Sequence, residues 1–193
     1  MRKCGRLVVL AGIVAGLLLV GLADQSRAED RRVLRCRVLA RDFMTELTQK
    51  IQAAIHDSGP ASAVGVCRQM IPELEARYSL PPGIEIRLTA LNCWNPRNRP
   101  DEWEKKGLQH FLEQRRQGAI LAGLEFSESA VKDDQPAFRY LRALPTGSLC
   151  LRCHGERLAP KVKKALRRYY SGQNGAGDRL AELRGGLSVT LYP

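Results

Sequence analysis

Between Arg31 and His56 apolar residues return at every fourth position: Leu39, Phe43, Leu47, Ile51 and Ile55, flanked by Cys36, Ala40 and Met44. That period predicts a long amphipathic helix, ended by Gly59-Pro60. Ala61 to Tyr78 reads as a second helix. Val66, Cys67, Met70, Ile71 and Leu74 lie on its apolar side, and Pro72 is expected to kink it. After the break at Pro81-Pro82-Gly83 the pattern changes to strict alternation, so Ile84 to Thr89 is a predicted strand. Asn92 to Pro100 carries two prolines and reads as an irregular loop. Asp101-Glu102-Trp103-Glu104 then places acids where a helix N-terminus is electropositive, and that helix is expected to reach Gln117. Ala119 to Ser127 and Pro136 to Leu144 are predicted strands joined by a turn at Lys132 to Pro136. Pro160 to Tyr170 is a predicted helix, Gly172 to Gly177 a flexible loop, and Gly186 to Tyr192 a closing strand. Helices and strands mix without a βαβ rhythm, so the expected class is α+β, one domain built on an antiparallel sheet.

Leu7 to Leu22 is an apolar run that belongs to no such pattern. It follows a basic start (Arg2, Lys3, Arg6) and precedes Ser26-Arg27-Ala28, a small-residue cleavage site. This is the pattern of a signal peptide over 1–28, with 29–193 as the exported domain. The alternative is an uncleaved anchor, for which the run is short. The 193 residues carry a net charge of +11. The basic pairs Arg115-Arg116, Lys163-Lys164 and Arg167-Arg168 fall on predicted helix faces. Such a surface suits an acidic protein partner; nucleic acid is not expected for an exported chain.

Cys150-Leu151-Arg152-Cys153-His154 changes the picture most. Two thiols one helical turn apart, followed by a histidine, are the attachment signature of a c-type haem. The thiols can reach both vinyl groups of one porphyrin, and His154 can bind iron from below the ring. A redox dithiol would want a βαβ setting early in the chain. A zinc site would need two further spaced ligands. A simple disulfide would leave His154 without a purpose. For the opposite face of the iron, Met44, Met70, His56, His110 and the remaining cysteines are available. Pattern alone favours Met70, then His110. Arg87, Asn98, Arg139 and Arg184 are candidate donors to the haem propionates, because arginine grips a carboxylate with two hydrogen bonds. Cys36 and Cys93 could pair in an oxidising compartment.

Three blocks of the chain resemble a family of exported c-type haem domains, found as stand-alone cytochromes and as sensor domains of histidine kinases. The first is Ala63-Val64-Gly65-Val66-Cys67 with Ile71-Pro72. The second is Arg87-Leu88-Thr89-Ala90-Leu91 leading into Asn95-Pro96-Arg97-Asn98-Arg99-Pro100-Asp101-Glu102-Trp103-Glu104. The third is Leu149 to Gly155, followed by Leu183-Arg184-Gly185-Gly186-Leu187-Ser188-Val189. The resemblance implies a PAS-like fold and iron held between the motif histidine and a cysteine, here His154 and Cys67. A thiolate ligand would stabilise ferric iron. Two departures stand out: Trp94 occupies a position that is usually basic, and Tyr169 to Asp178 lacks the family's usual pattern.

The expectation is therefore a periplasmic monohaem cytochrome with one covalent haem c and no catalytic residues, acting in single-electron transfer or redox sensing. The alternative is a gas sensor in which Cys67 leaves the iron and a separate protein carries the signal. A peroxidase-like enzyme would need an acid–base residue on an open distal side, and only His56 or His110 could serve. A redox or signalling partner is expected, stable membrane insertion after cleavage is not, and the first helix is a candidate for homodimer contact.

Overall fold

A computed structural model describes the backbone of residues 4–170 and 176–193, and the side chains of Arg27, 29–170 and 176–193. Most of the expected leader and most of the 172–177 loop lie outside those side chains. The chain divides into two compact units, 1–37 and 38–193. From Cys4 onward the first is the start of α1 (Cys4–Tyr78). Among the described residues no helix is long and apolar enough to cross a membrane.

The second unit holds the remainder of α1, then β1 (Ile84–Thr89), α2 (Glu102–Arg116), β2 (Glu125–Lys132), β3 (Gln135–Pro145), α3 (Ser148–His154), α4 (Pro160–Tyr169) and β4 (Leu183–Leu191). The break expected at Gly59-Pro60 is present: Gly59 takes φ +76°, and Pro60 starts the next turns. The kink expected at Pro72 is not matched by its backbone angles. Within α1 only Gly59 leaves the helical region.

The four strands form one antiparallel sheet in the order β1-β4-β3-β2, a PAS-like α+β arrangement. Asp133 and Asp134 both take positive φ (51° and 61°), the conformation that a two-residue hairpin between β2 and β3 requires. β2 starts six residues later than expected, because Leu121–Gly123 closes as a short 3-10 turn before Glu125. Strand register decides which side chains share a face. Ile84, Ile86 and Leu88 align with Leu191, Val189 and Leu187, and these with Phe138, Tyr140 and Arg142. The other parity holds Arg87, Arg139, Leu141 and Ala143. Leu141 and Ala143 pack with Leu108 and Phe111 of α2.

α2 is fastened to that second face by ions. Asp101 caps its N-terminus, and Glu104 returns the bond to the Asp101 N–H, a complete capping box. Glu104 is fully buried; Arg87 donates to it at 2.6 Å, and Arg139 approaches at 3.8 Å. Arg139 also donates to Asp101 at 2.6 Å and lies 4.3 Å from the Trp103 ring.

Candidate functional site

α3 is seven residues long and carries Cys150, Cys153 and His154. Gly155 ends it: its N–H donates to the Leu151 carbonyl, and a Cβ there would lie 2.7 Å from that oxygen. The chain beyond is pinned back, since the Asp178 N–H donates to the His154 carbonyl at 2.9 Å. Arg184 supports this arrangement. It donates to the Asn92 carbonyl at 2.7 Å and lies 3.3 Å from Asp178. Burial holds the Arg184 guanidinium below its ordinary range, against the pull of Asp178, and pushes the Asp178 carboxyl up.

These residues border a cavity of about 770 Å³, within the usual size of a cofactor site. Cys67 from α1 and Cys93 from the loop after β1 line it together with Cys150, Cys153 and His154, so the structure gathers four thiols and one imidazole around one space. Burial pushes the Cys67 thiol up to about 11, with Cys153 adding to the shift. Burial raises the Cys153 thiol as well, followed by the effect of Cys150. The Cys153 thiol donates to the Pro60 carbonyl at 3.9 Å, so the Gly59 break serves the site. Among the described residues no group of three or more His, Cys, Asp or Glu could close on a bare metal ion.

Of the other sixth-ligand candidates, Met44 lines the cavity, whereas Met70, His56 and His110 do not. His56 is exposed beside Asp57, and His110 is exposed near Phe111 and Phe126. Pattern alone thus favoured a methionine outside the cavity lining, one turn along α1 from Cys67.

The propionate candidates separate too. Asn98 and Arg184 line the cavity; Arg87 and Arg139 do not. Strand parity is the cause. Both arginines project to the α2 face, where Glu104 and Asp101 hold them. Sequence reasoning missed Arg142, which has the opposite parity. It lines the cavity half-buried, and no hydrogen bond or ion pair among the described residues engages its guanidinium. The signal that could have found it is its spacing: three residues from Arg139 on the same strand means opposite faces.

Trp94 and Tyr170 line another wall, with ring centroids 6.5 Å apart. The Trp94 Nε1–H is buried with no protein acceptor among the described residues. Val64, Leu158, Val162 and Leu166 form the core behind them and join α1 to α4. Cys93 is a free, buried thiol, so the Cys36–Cys93 pair is not formed.

This donor set fits a haem. Two thiols lie on one helical turn beside an imidazole, a third thiol comes from another helix, and Leu47, Ile51, Val64 and Leu88 supply apolar walls. An unengaged guanidinium and an orphaned indole N–H stand ready for polar substituents.

No curated protein matches the chain. The crystal structure of the cyanobacterial heme-protein Tll0287 superposes with a TM-score of 0.57 at 20% identity, covering 78% of this chain and 91% of that one, a likeness of fold. The Tll0287-like family model (Tll0287) matches residues 22–191, nearly all of the 193, and the chain belongs to that family.

Proposed function

We propose that this chain is an exported c-type cytochrome with one haem, serving single-electron transfer or redox sensing. The observation that carries the reading is the single cavity bordered by Cys150, Cys153, His154 and Cys67. Cys150 and Cys153 would form the thioethers, and His154 and Cys67 would hold the iron from opposite sides. The haem would supply a one-electron couple. The protein would supply the apolar enclosure, two fixed axial donors, and Asn98, Arg142 and Arg184 for the propionates. That the similar structure is of a heme-protein supports the choice of cofactor. The leader-like start supports export to the periplasm, where haem c is attached. With both axial donors in place no open position is left for substrate, so the chain is proposed not to be an enzyme.

The deciding experiment is the visible spectrum of the matured protein, ferric and ferrous, with an intact-mass measurement. Covalent haem and a ferric low-spin thiolate spectrum that Cys67→Ser abolishes are expected. A spectrum indifferent to that substitution would move the axial role to Met44 or Cys93. A mass without haem would overturn the reading.

One observation favours a second reading. Burial holds the Cys67 thiol at about 11, so the pocket prefers its neutral form, a weak iron donor. A reduced protein that binds carbon monoxide at once would identify a gas sensor rather than a carrier.

A further inference from the structure

The basic pairs Arg115-Arg116, Lys163-Lys164 and Arg167-Arg168 have different surroundings. On α2, Arg116 pairs with Glu113 and Lys106 approaches Glu128, and no residue of that helix lines the cavity. On α4 the situation is reversed. From Arg157 to Tyr170 there are six cations and no acid. Lys161, Lys163, Lys164, Arg167 and Arg168 are all exposed, and none of the five is in an ion pair among the described residues. The nearest acid in sequence, Glu156, is engaged by Arg179 at 2.7 Å.

The opposite side of α4 is part of the site. Val162 and Leu166 are buried, Leu166 lines the cavity, and Tyr170 follows as another lining residue. Tyr169 closes the helix against α1, where its hydroxyl would lie 2.8 Å from a Cβ on Gly65. Its ring is flanked by two guanidinium groups, Arg168 at 5.7 Å and Arg68 at 5.5 Å. Arg68 itself borders the cavity. The positive face of α4 thus continues through Tyr169 to the cavity rim.

We infer that the outward face of α4, continued by Arg68, is the docking surface for an acidic protein that exchanges electrons with the cavity. The exchanged electron rests on the cytochrome reading; the surface does not. A partner seated there would be one helix away from whatever the cavity holds, about 10–12 Å. The occupant is a protein rather than a membrane, because α4 spends its apolar side on the core and, beyond Pro160 at its start, shows no exposed apolar side chain to enter acyl chains. Unpaired, closely spaced cations instead match a patch of carboxylates, and they raise the encounter rate with one.

The test compares three matured proteins: wild type, Lys164→Glu/Arg167→Glu, and the control Lys105→Glu/Arg115→Glu on α2, which changes the net charge equally. Lys164 and Arg167 point away from Val162 and Leu166 by helical geometry. In the first arm, each ferrous protein passes one electron to ferricyanide or to tris-phenanthroline cobalt(III), followed by stopped flow. At low salt the α4 variant should react about tenfold more slowly with the anion and faster with the cation. The control should change less than twofold, and high salt should erase the difference. In the second arm, each protein is titrated with poly-L-glutamate and with phosphatidylglycerol vesicles. Poly-L-glutamate should lose affinity for the α4 variant only. Equal effects of the two variants in both arms would overturn the inference, as would vesicle binding without poly-L-glutamate binding. The neutral Lys164→Gln/Arg167→Gln protein, expected to show a smaller shift in the same direction, replaces the reversal if that fails to fold. A chain without haem would silence the first arm while the second still judges the surface.

Discussion

Arg142 and Cys67 are both held in places that a solvated side chain would avoid, and each yields a measurable consequence. Arg142 keeps a half-buried guanidinium in the cavity without a carboxylate. If it receives a propionate, Arg142→Met should weaken the binding of free hemin by the apoprotein about tenfold, the value of a charge-assisted hydrogen bond. Hemin dimethyl ester, which lacks the carboxylates, should bind both proteins alike. Quenching of tryptophan fluorescence measures both. Cys67 yields a pH dependence. Its folded pKa of about 11 lies above that of an unfolded thiol, so the unfolded chain ionises first as pH rises. The apoprotein should therefore keep its stability at neutral pH and lose roughly 2–3 kcal/mol between the two pKa values. Urea titrations of wild type and Cys67→Ser across that range should differ in slope, with the serine protein flatter. These two residues also mark what was legible. Cys67 could be picked out by resemblance, whereas Arg142 looked like any strand arginine, because its value depends on the face it occupies.

At the scale of elements, α2 and β4 are attached by contacts that tolerate little change. Glu104 is fully buried between Arg87 and Arg139, so Glu104→Gln leaves two guanidinium groups short of a charge. Its expected cost is about 3–5 kcal/mol in a denaturant titration, since one partner of a buried ion cluster is removed. Asp101 adds an acid-side term. Burial raises its carboxyl, but the Arg139 and Glu104 hydrogen bonds outweigh that and hold it below the usual range. Its contribution is thus complete above the ordinary carboxylate pKa and is lost as pH falls toward the lowered folded value. Gly185→Ala tests the sheet itself. A Cβ there would lie 2.3 Å from the Thr89 carbonyl oxygen, which belongs to the backbone and cannot turn aside. A loss of about 1–3 kcal/mol or more in the same titration is expected. Most of these elements could be read in advance: the four-residue period announced α1, and alternation announced β1 to the residue. β2 could not be placed, because Leu121–Gly123 is apolar enough to continue a strand and only its 3-10 turn reveals otherwise.

For the whole molecule, the cavity sets the dependence on its occupant. A space of about 770 Å³ walled by α1, α3, α4 and the sheet forfeits packing when empty. Protein produced without haem maturation should melt lower than the matured form by on the order of 10 °C, as loss of a tightly held ligand implies. Calorimetry on the two forms would decide; coincident melting would mean that the cavity is no binding site.

The sequence by itself determined which reactive side chains are present at which spacing, and the local structure. The Cys150 to His154 spacing, the helical period before Gly59, the alternation of β1 and the capping acids of α2 are all local, acting within one or two turns of chain. Tertiary structure decided what depends on distant residues meeting. Parity across three strands sent Arg87 and Arg139 to α2 and Arg142 to the cavity. The direction of one helix face brought in Cys67 and turned Met70 away. The packing of α4 on Gly65 set a run of surface cations on the outer side of a helix whose Leu166 lines the site. A side chain's type is written in the sequence, but its neighbours are set by register and packing over the whole fold.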